Sequence, residues 1–169
     1  MNRIDATLSH GMGKVKAIRA RLSGLVGVFK ALAEQHGEVT MLLERAKASN
    51  EKFVQLWPTI RRELLSHEKA ELREVYPMLR TREATRPLAE EHDLEAHELE
   101  QLITAIDELP VAAPERIEVY NRLVSTVIEH AREEEREIFP RAQEAIGKAQ
   151  AEAIEAPFLA AKQQIAQSI

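Results

Sequence analysis

Apolar residues recur every three or four positions over four long stretches of the chain, the spacing of helices that bury one face. In the first stretch, from Lys14 to about Lys47, one face carries Leu22, Leu25, Val26, Phe29, Leu32, Ala33, His36, Val39 and Leu43. Gly24, Gly27 and Gly37 weaken this helix without ending it. Ser49-Asn50-Glu51 reads as a turn with capping residues, and a second helix follows to about Arg82. Its apolar face holds Ile60, Leu64, His67, Glu71, Val75 and Met78, with Pro58 near its start. A third helix begins between Thr85 and Leu88, with Thr85 as its cap, and stops at Leu109 before Pro110. The fourth runs from Pro114-Glu115 to Gly147, a natural C-terminal cap. Residues 148–168 form an Ala-rich helical segment interrupted by Pro157.

Four long helices joined by short turns predict an all-α, antiparallel up-down-up-down four-helix bundle. The bundle is expected over about 28–146. The N-terminal extension and C-terminal helix would pack outside it or mediate self-association, as in a homodimer. At 169 residues the chain reads as one domain, 1–169.

Composition narrows the function classes. Aromatics are only 4 % of the chain, while Ala, Glu, Leu and Arg dominate, which reinforces the helical reading. Net charge is −5 with acidic and basic residues interspersed, and no Lys/Arg block could track a phosphate backbone, which argues against a nucleic-acid partner. The absence of cysteine removes disulfides, thiolate metal sites and thiol nucleophiles, and fits a reducing cytoplasm. The apolar run Leu22–Phe29 is interrupted by Lys30 and is too short to span a bilayer, so a soluble cytoplasmic protein without membrane partners is expected.

Aligning the second and fourth helices exposes the chemistry. Residues 67–77 read HEKAELREVYP and residues 130–140 read HAREEEREIFP; five of the eleven positions are identical. Residues four apart on a helix lie about 40° apart around it and ~6 Å apart along it. His67 with Glu71, and His130 with Glu134, can therefore each offer an imidazole and a carboxylate to one metal site. Carboxylates on an apolar stripe cost several kcal/mol unless neutralised, so a cation is implied. His36 and His92 lie on the inward faces of the other two helices. Four imidazoles and two carboxylates are generous for one ion but suit two octahedral ions sharing carboxylates, and the mixed set favours iron, manganese or zinc over calcium or magnesium.

One His-x3-Glu pair alone is compatible with a surface salt bridge. Two copies, with inward histidines on the remaining helices, point to metal. His97 falls in line with Gln101, Thr104 and Glu108 and reads as surface; His10 has no assigned role. Glu133, Glu135 and Glu137 read as a solvated acidic face, and Pro77 and Pro140 as kinks that bend both helices alike.

The two H-x3-E-x4-[YF]-P segments, with EQHGEV around His36 and EEHDLEAHELEQLI around His92, resemble the hemerythrin-like (HHE cation-binding) domains over roughly residues 28–146. The resemblance implies a non-haem di-iron centre with an oxygen bridge, zinc or manganese being the alternatives. It implies metal ligands His36, His67, Glu71, His92, His130 and Glu134, with Glu71 and Glu134 bridging. It departs from the oxygen carriers of that family in two places. Ala96 stands where they have a second third-helix histidine, and their last carboxylate falls at the position of Glu135, where heptad register here prefers Glu134. Glu68 is available as a substitute ligand.

The implied function is binding or sensing of O2, NO or peroxide. The alternatives are a di-iron redox enzyme, reducing peroxide or NO or donating iron for repair, and a structural bundle with zinc or an empty site. A committed enzyme is the weaker reading because no second catalytic group is evident. Ferritin-like oxidases are excluded because the residues three before the inward histidines are Ala33, Leu64, Ala89 and Val127. Zincins are excluded because no His-Glu-x-x-His occurs.

Overall fold

The computed structural model describes residues 24–169 and is helical, with no strand among them. The elements are α1 (Gly27–Ala46), α2 (Asn50–Glu74), α3 (Tyr76–Arg80), α4 (Arg86–Glu108), α5 (Pro114–Glu133), a π-helical turn (Glu134–Ile138), α6 (Phe139–Ile146), α7 (Lys148–Ala153) and α8 (Glu155–Ala166). The readings made for Leu22, His10 and the extension before residue 24 lie outside the described residues.

The long helices form a helical bundle in which α1 packs on α2 and α5, while α4 packs on α5 and α2. The terminal segment sits outside these four: α7 lies against α1, and α8 lies along α2 and α1. Phe158 of α8 is fully buried there, and Ala151 and Ala161 join the same apolar cluster.

Several local expectations meet their physical reasons. Ser49 caps α2, its Oγ accepting from the Lys52 amide at 3.1 Å. Gly147 closes α6 with φ +85°. The first helix does not run through Gly24: that residue has φ +83°, Val26 is extended, and α1 starts at Gly27. The side chain of Gln143 holds this entrance, accepting from the Val26 amide and donating to the Gly24 carbonyl, both at 2.8 Å. Gly27 is required there, since a Cβ would lie 2.2 Å from the Ala151 carbonyl oxygen of α7. Thr85 does not cap α4; its hydroxyl instead donates to the Leu79 carbonyl at 2.7 Å.

The two motif prolines act differently. Before Pro77 the second helix breaks at Val75 and restarts as α3. Before Pro140 the fourth helix stays continuous but widens into a π turn, the Phe139 amide bonding the Glu134 carbonyl. Both are ways to absorb a missing backbone donor, and the π turn shifts the register of the side chains it carries.

The core is divided. One apolar cluster holds Leu25, Phe29, Tyr76, Phe139 and Phe158, and the other holds Leu43, Phe53, Ile60, Ile103 and Leu123. On α1 the first ends at Ala33 and the second begins at Val39; on α4 they are separated by the stretch from Ala89 to Leu99. His36 and His92 occupy those gaps, in a polar layer across the bundle.

Candidate metal centre

Helix register explains why the polar layer converges. His36 and His92 project inward from α1 and α4 on the same stripes as their apolar neighbours, and α2 delivers His67, Glu68 and Glu71 from a little over one turn. The end of α5 and the π turn deliver His130 and Glu134. Glu71, His92 and Glu134 are fully buried, Glu68 and His36 nearly so, and His67 and His130 keep about an eighth of their side-chain surface.

All six residues singled out by their spacing therefore meet in one layer, and Glu68 joins them. Their ligating atoms form overlapping groups: His36, His67 and Glu134; Glu68, His92 and His130; and Glu71, His92 and Glu134. Within each group the atoms lie within 4.8 Å of one another. Glu134 lies centrally, with Oε2 at 3.2 Å from His36 Nε2 and 3.3 Å from His130 Nε2, and Oε1 at 3.3 Å from His92 Nε2. Glu71 Oε2 is 3.5 Å from His67 Nε2 and 3.8 Å from His92 Nε2, and Glu68 Oε1 is 3.2 Å from His92 Nε2.

The outer ring nitrogens are fixed from behind. His67 Nδ1 pairs with Gln35 Oε1 at 2.9 Å, His36 Nδ1 with Glu135 Oε1 at 3.0 Å, and His130 Nδ1 with Glu95 Oε2 at 2.6 Å. An Nδ1–H donated outward leaves the Nε2 lone pair facing inward, the arrangement that orients metal-binding imidazoles. The aromatic positions of the repeated motif support His92 and, a second time, His36. Tyr76 stacks on His92 with ring centroids 3.8 Å apart, and Phe139 stacks on His36 at 5.8 Å. The Tyr76 hydroxyl also donates to Glu134 Oε1 at 3.1 Å. From α8, Phe158 meets the edge of His67 at 6.3 Å.

Packing ionisable groups this tightly displaces their protonation. Burial raises Glu71 well above the usual carboxylate range, and the neighbouring Glu134 and Glu68 push it further. Burial likewise raises Glu68. Burial opposes ionisation of Glu134 too, but His130, His36 and His92 outweigh it and hold that carboxyl well below its ordinary value. Burial pulls His67 well down, helped by His36. For His130, burial is overcome by Glu134 and Glu95, which raise it to about 10.

What the cluster leaves unsatisfied identifies what it fits. Among the described residues, nine buried side-chain polar atoms lack a hydrogen-bond partner, and all belong to these seven residues. They include Nε2 of all four histidines and both oxygens of Glu71. Buried polar atoms are rarely left unpaired, and inward nitrogen lone pairs beside carboxylate oxygens are a donor set for cations.

A cavity of about 500 Å³ reaches this layer from the side and is lined by His36, His67, Glu68 and His130. His97 is exposed and pairs with Gln101 instead. Glu135 is no part of a purely solvated face, since the π turn places it behind His36. Glu95, Gln35 and Tyr76 all fall within the segments that carry the resemblance, but nothing in their spacing marked a role for them.

A family model described as hemerythrin HHE cation binding domain matches residues 27–155. A protein named DNA nickase from Nostoc sp. is 26% identical over 172 residues, covering 93% of this chain and 49% of its own length. The chain thus spans about half the length of that curated relative. No solved structure matches it.

Proposed function

The chain belongs to the hemerythrin HHE cation-binding domain family, and from that premise we propose that it holds two iron ions and binds or senses O2, NO or peroxide at them. The observation that carries the reading is the set of nine orphaned polar atoms confined to one buried layer. In this reading His36, His67, Glu68, Glu71, His92, His130 and Glu134 would hold the ions. The whole chain is read as one domain, with the long helices alternating in direction. A reducing cytoplasm is the compartment that a cysteine-free, iron-binding chain suits.

A pair of iron ions, when bound, would supply exchangeable coordination positions and electrons for small oxidants. The protein's own residues do the rest. Gln35, Glu135 and Glu95 hold three imidazoles in the inward-facing tautomer. Tyr76 steadies Glu134 by donating to it, and the two apolar clusters exclude bulk water above and below the layer. The cavity is the path along which a small ligand reaches the site.

The volume of that cavity favours, as a second reading, a redox enzyme built on the same residues. The activity named for the Nostoc relative is not carried over: the carboxylates around the cavity, Glu38, Glu129 and Glu133 among them, would repel a phosphodiester backbone.

Metal analysis of anaerobically purified protein tests the proposal. About two irons per chain are expected, with a near-ultraviolet band that shifts on adding azide, oxygen or NO. Stoichiometric zinc without iron would sink the iron reading, and an iron spectrum indifferent to all three additives would sink the ligand-binding one.

A further inference from the structure

The cavity beside the metal layer is far larger than a diatomic molecule needs. Its volume is about 500 Å³, against roughly 30 Å³ for a water molecule in the liquid and ~300–1,000 Å³ for sites that hold organic ligands. Its buried lining is apolar apart from the metal-layer residues: Val39, Leu64, Leu99, Val127 and Ala131, with the half-buried Leu42 beside them.

The more exposed lining is acidic. Six glutamates stand there, at positions 38, 63, 95, 98, 129 and 133, against a single lysine, Lys162 of α8. That lysine is already bound to Glu63 at 2.6 Å, Glu98 is paired with Arg122 at 2.7 Å, and Glu95 is engaged by His130. Glu38, Glu129 and Glu133 have no ion-pair partner among the described residues.

We propose that the cavity binds an organic ammonium ligand, with an alkyl body against Val39, Leu42, Leu64 and Leu99 and a cationic nitrogen among Glu38, Glu129 and Glu133. An apolar wall alone would accept any alkyl chain, and an acidic rim alone would collect any cation. Together they select a molecule that carries both and reject carboxylates and phosphates of the same size. Binding needs no particular metal in the neighbouring layer, so it stands apart from the iron reading.

Titration calorimetry of the full-length chain with n-hexylammonium, hexanoate and hexanol tests this. Hexylammonium is expected to bind one-to-one below about 1 mM, hexanol at least ~10-fold more weakly, the free energy of one well-placed charge pair, and hexanoate without saturation. Glu38→Gln and Glu129→Gln should each weaken hexylammonium about threefold, as expected for a partly exposed charge. Leu42→Trp, which fills the cavity, should abolish binding while metal content per chain stays unchanged. Equal affinity for hexanol and hexylammonium, or undiminished binding in a folded Leu42→Trp protein, would overturn the proposal. Should Leu42→Trp fail to fold, unchanged affinity in both glutamine variants overturns it equally. Metal analysis of the same samples reports separately on the iron reading.

Discussion

Replacing Glu71 by leucine should stabilise the metal-free protein and remove its response to metal, a pair of effects with opposite signs. Glu71 is fully buried, neither carboxylate oxygen has a hydrogen-bond partner, and its nearest imidazole nitrogens are 3.5 and 3.8 Å away. Without a cation, ionising it sets a buried charge beside Glu134 and Glu68, which is why its proton is held well above the ordinary range. Leucine has similar bulk and discards no hydrogen bond. Removing a buried polar group that has no hydrogen-bond partner is worth about 1–3 kcal/mol. Taking ~2 kcal/mol, and ~2–4 °C per kcal/mol for a chain of this size, the Tm of chelator-treated protein should rise by about 4–8 °C. Wild-type protein should instead gain about 2.7 kcal/mol from free metal at a hundred times its Kd, a rise of ~5–11 °C that the variant lacks. The assay is thermal denaturation of both proteins, chelated and metal-loaded, so that the order of their Tm values inverts on adding metal. A chelated variant that melts below chelated wild type would show that Glu71 is satisfied without a cation. A variant that keeps the full metal-induced rise would show that it is no ligand.

Tyr76→Phe keeps the ring on His92 but removes the donor to Glu134, which should cost about 2 kcal/mol and weaken metal binding ~10–100-fold in a competitive chelator titration; unchanged affinity would make the hydroxyl merely structural. The stability of chelated protein should depend on pH with a definite sign. His130 is raised in the folded state, so its stabilising contribution is complete below about 6.5 and is lost as pH rises through about 10. Glu71, also raised, adds a loss in the same direction, so denaturant-derived stability should fall between pH 7 and 10, whereas a rise would reverse the assignment. Metal affinity should increase over the same interval, because a bound cation must displace the imidazole protons. Phe158→Ala should cost ~3–5 kcal/mol through the cavity it leaves and loosen His67, read as a Tm drop with weaker metal retention. Intact retention would detach α8 from the site.

The convergence of His36, His67, Glu71, His92, His130 and Glu134 was legible because each lies on a helical stripe that burial must turn inward. Glu68 was harder to place: about 100° around the helix from His67, it falls inward only because α4 and α5 enclose that side of α2. Glu135 was misjudged for a different reason. Its role depends on the π turn, where five residues rather than four separate bonded groups, and a regular heptad reading cannot anticipate that rotation. Pro77 and Pro140 occupy the same motif position, yet one marks a break and the other follows a widened turn, so the similarity of the segments concealed a difference in backbone. Packing of the C-terminal helix outside the bundle was one of two expectations, but the face α8 would use was hidden, since an Ala-rich helix with one large aromatic, Phe158, has little amphipathic contrast.

The division of the apolar core into two clusters bears on how the molecule comes apart. Each half closes on its own aromatic group, Phe29 with Phe139 at one end and Phe53, Trp57 and Tyr120 at the other. The layer between them keeps nine buried polar atoms without a hydrogen-bond partner among the described residues, so without a cation it joins one half to the other less firmly than an apolar core would. Two such halves are natural units of partial opening, each able to lose amide protection while its counterpart remains closed. A cation in the layer would tie four helices at mid-height and merge those openings into one event. Metal supply would then set unfolding cooperativity, and scarcity would show first as a protein that frays from one end.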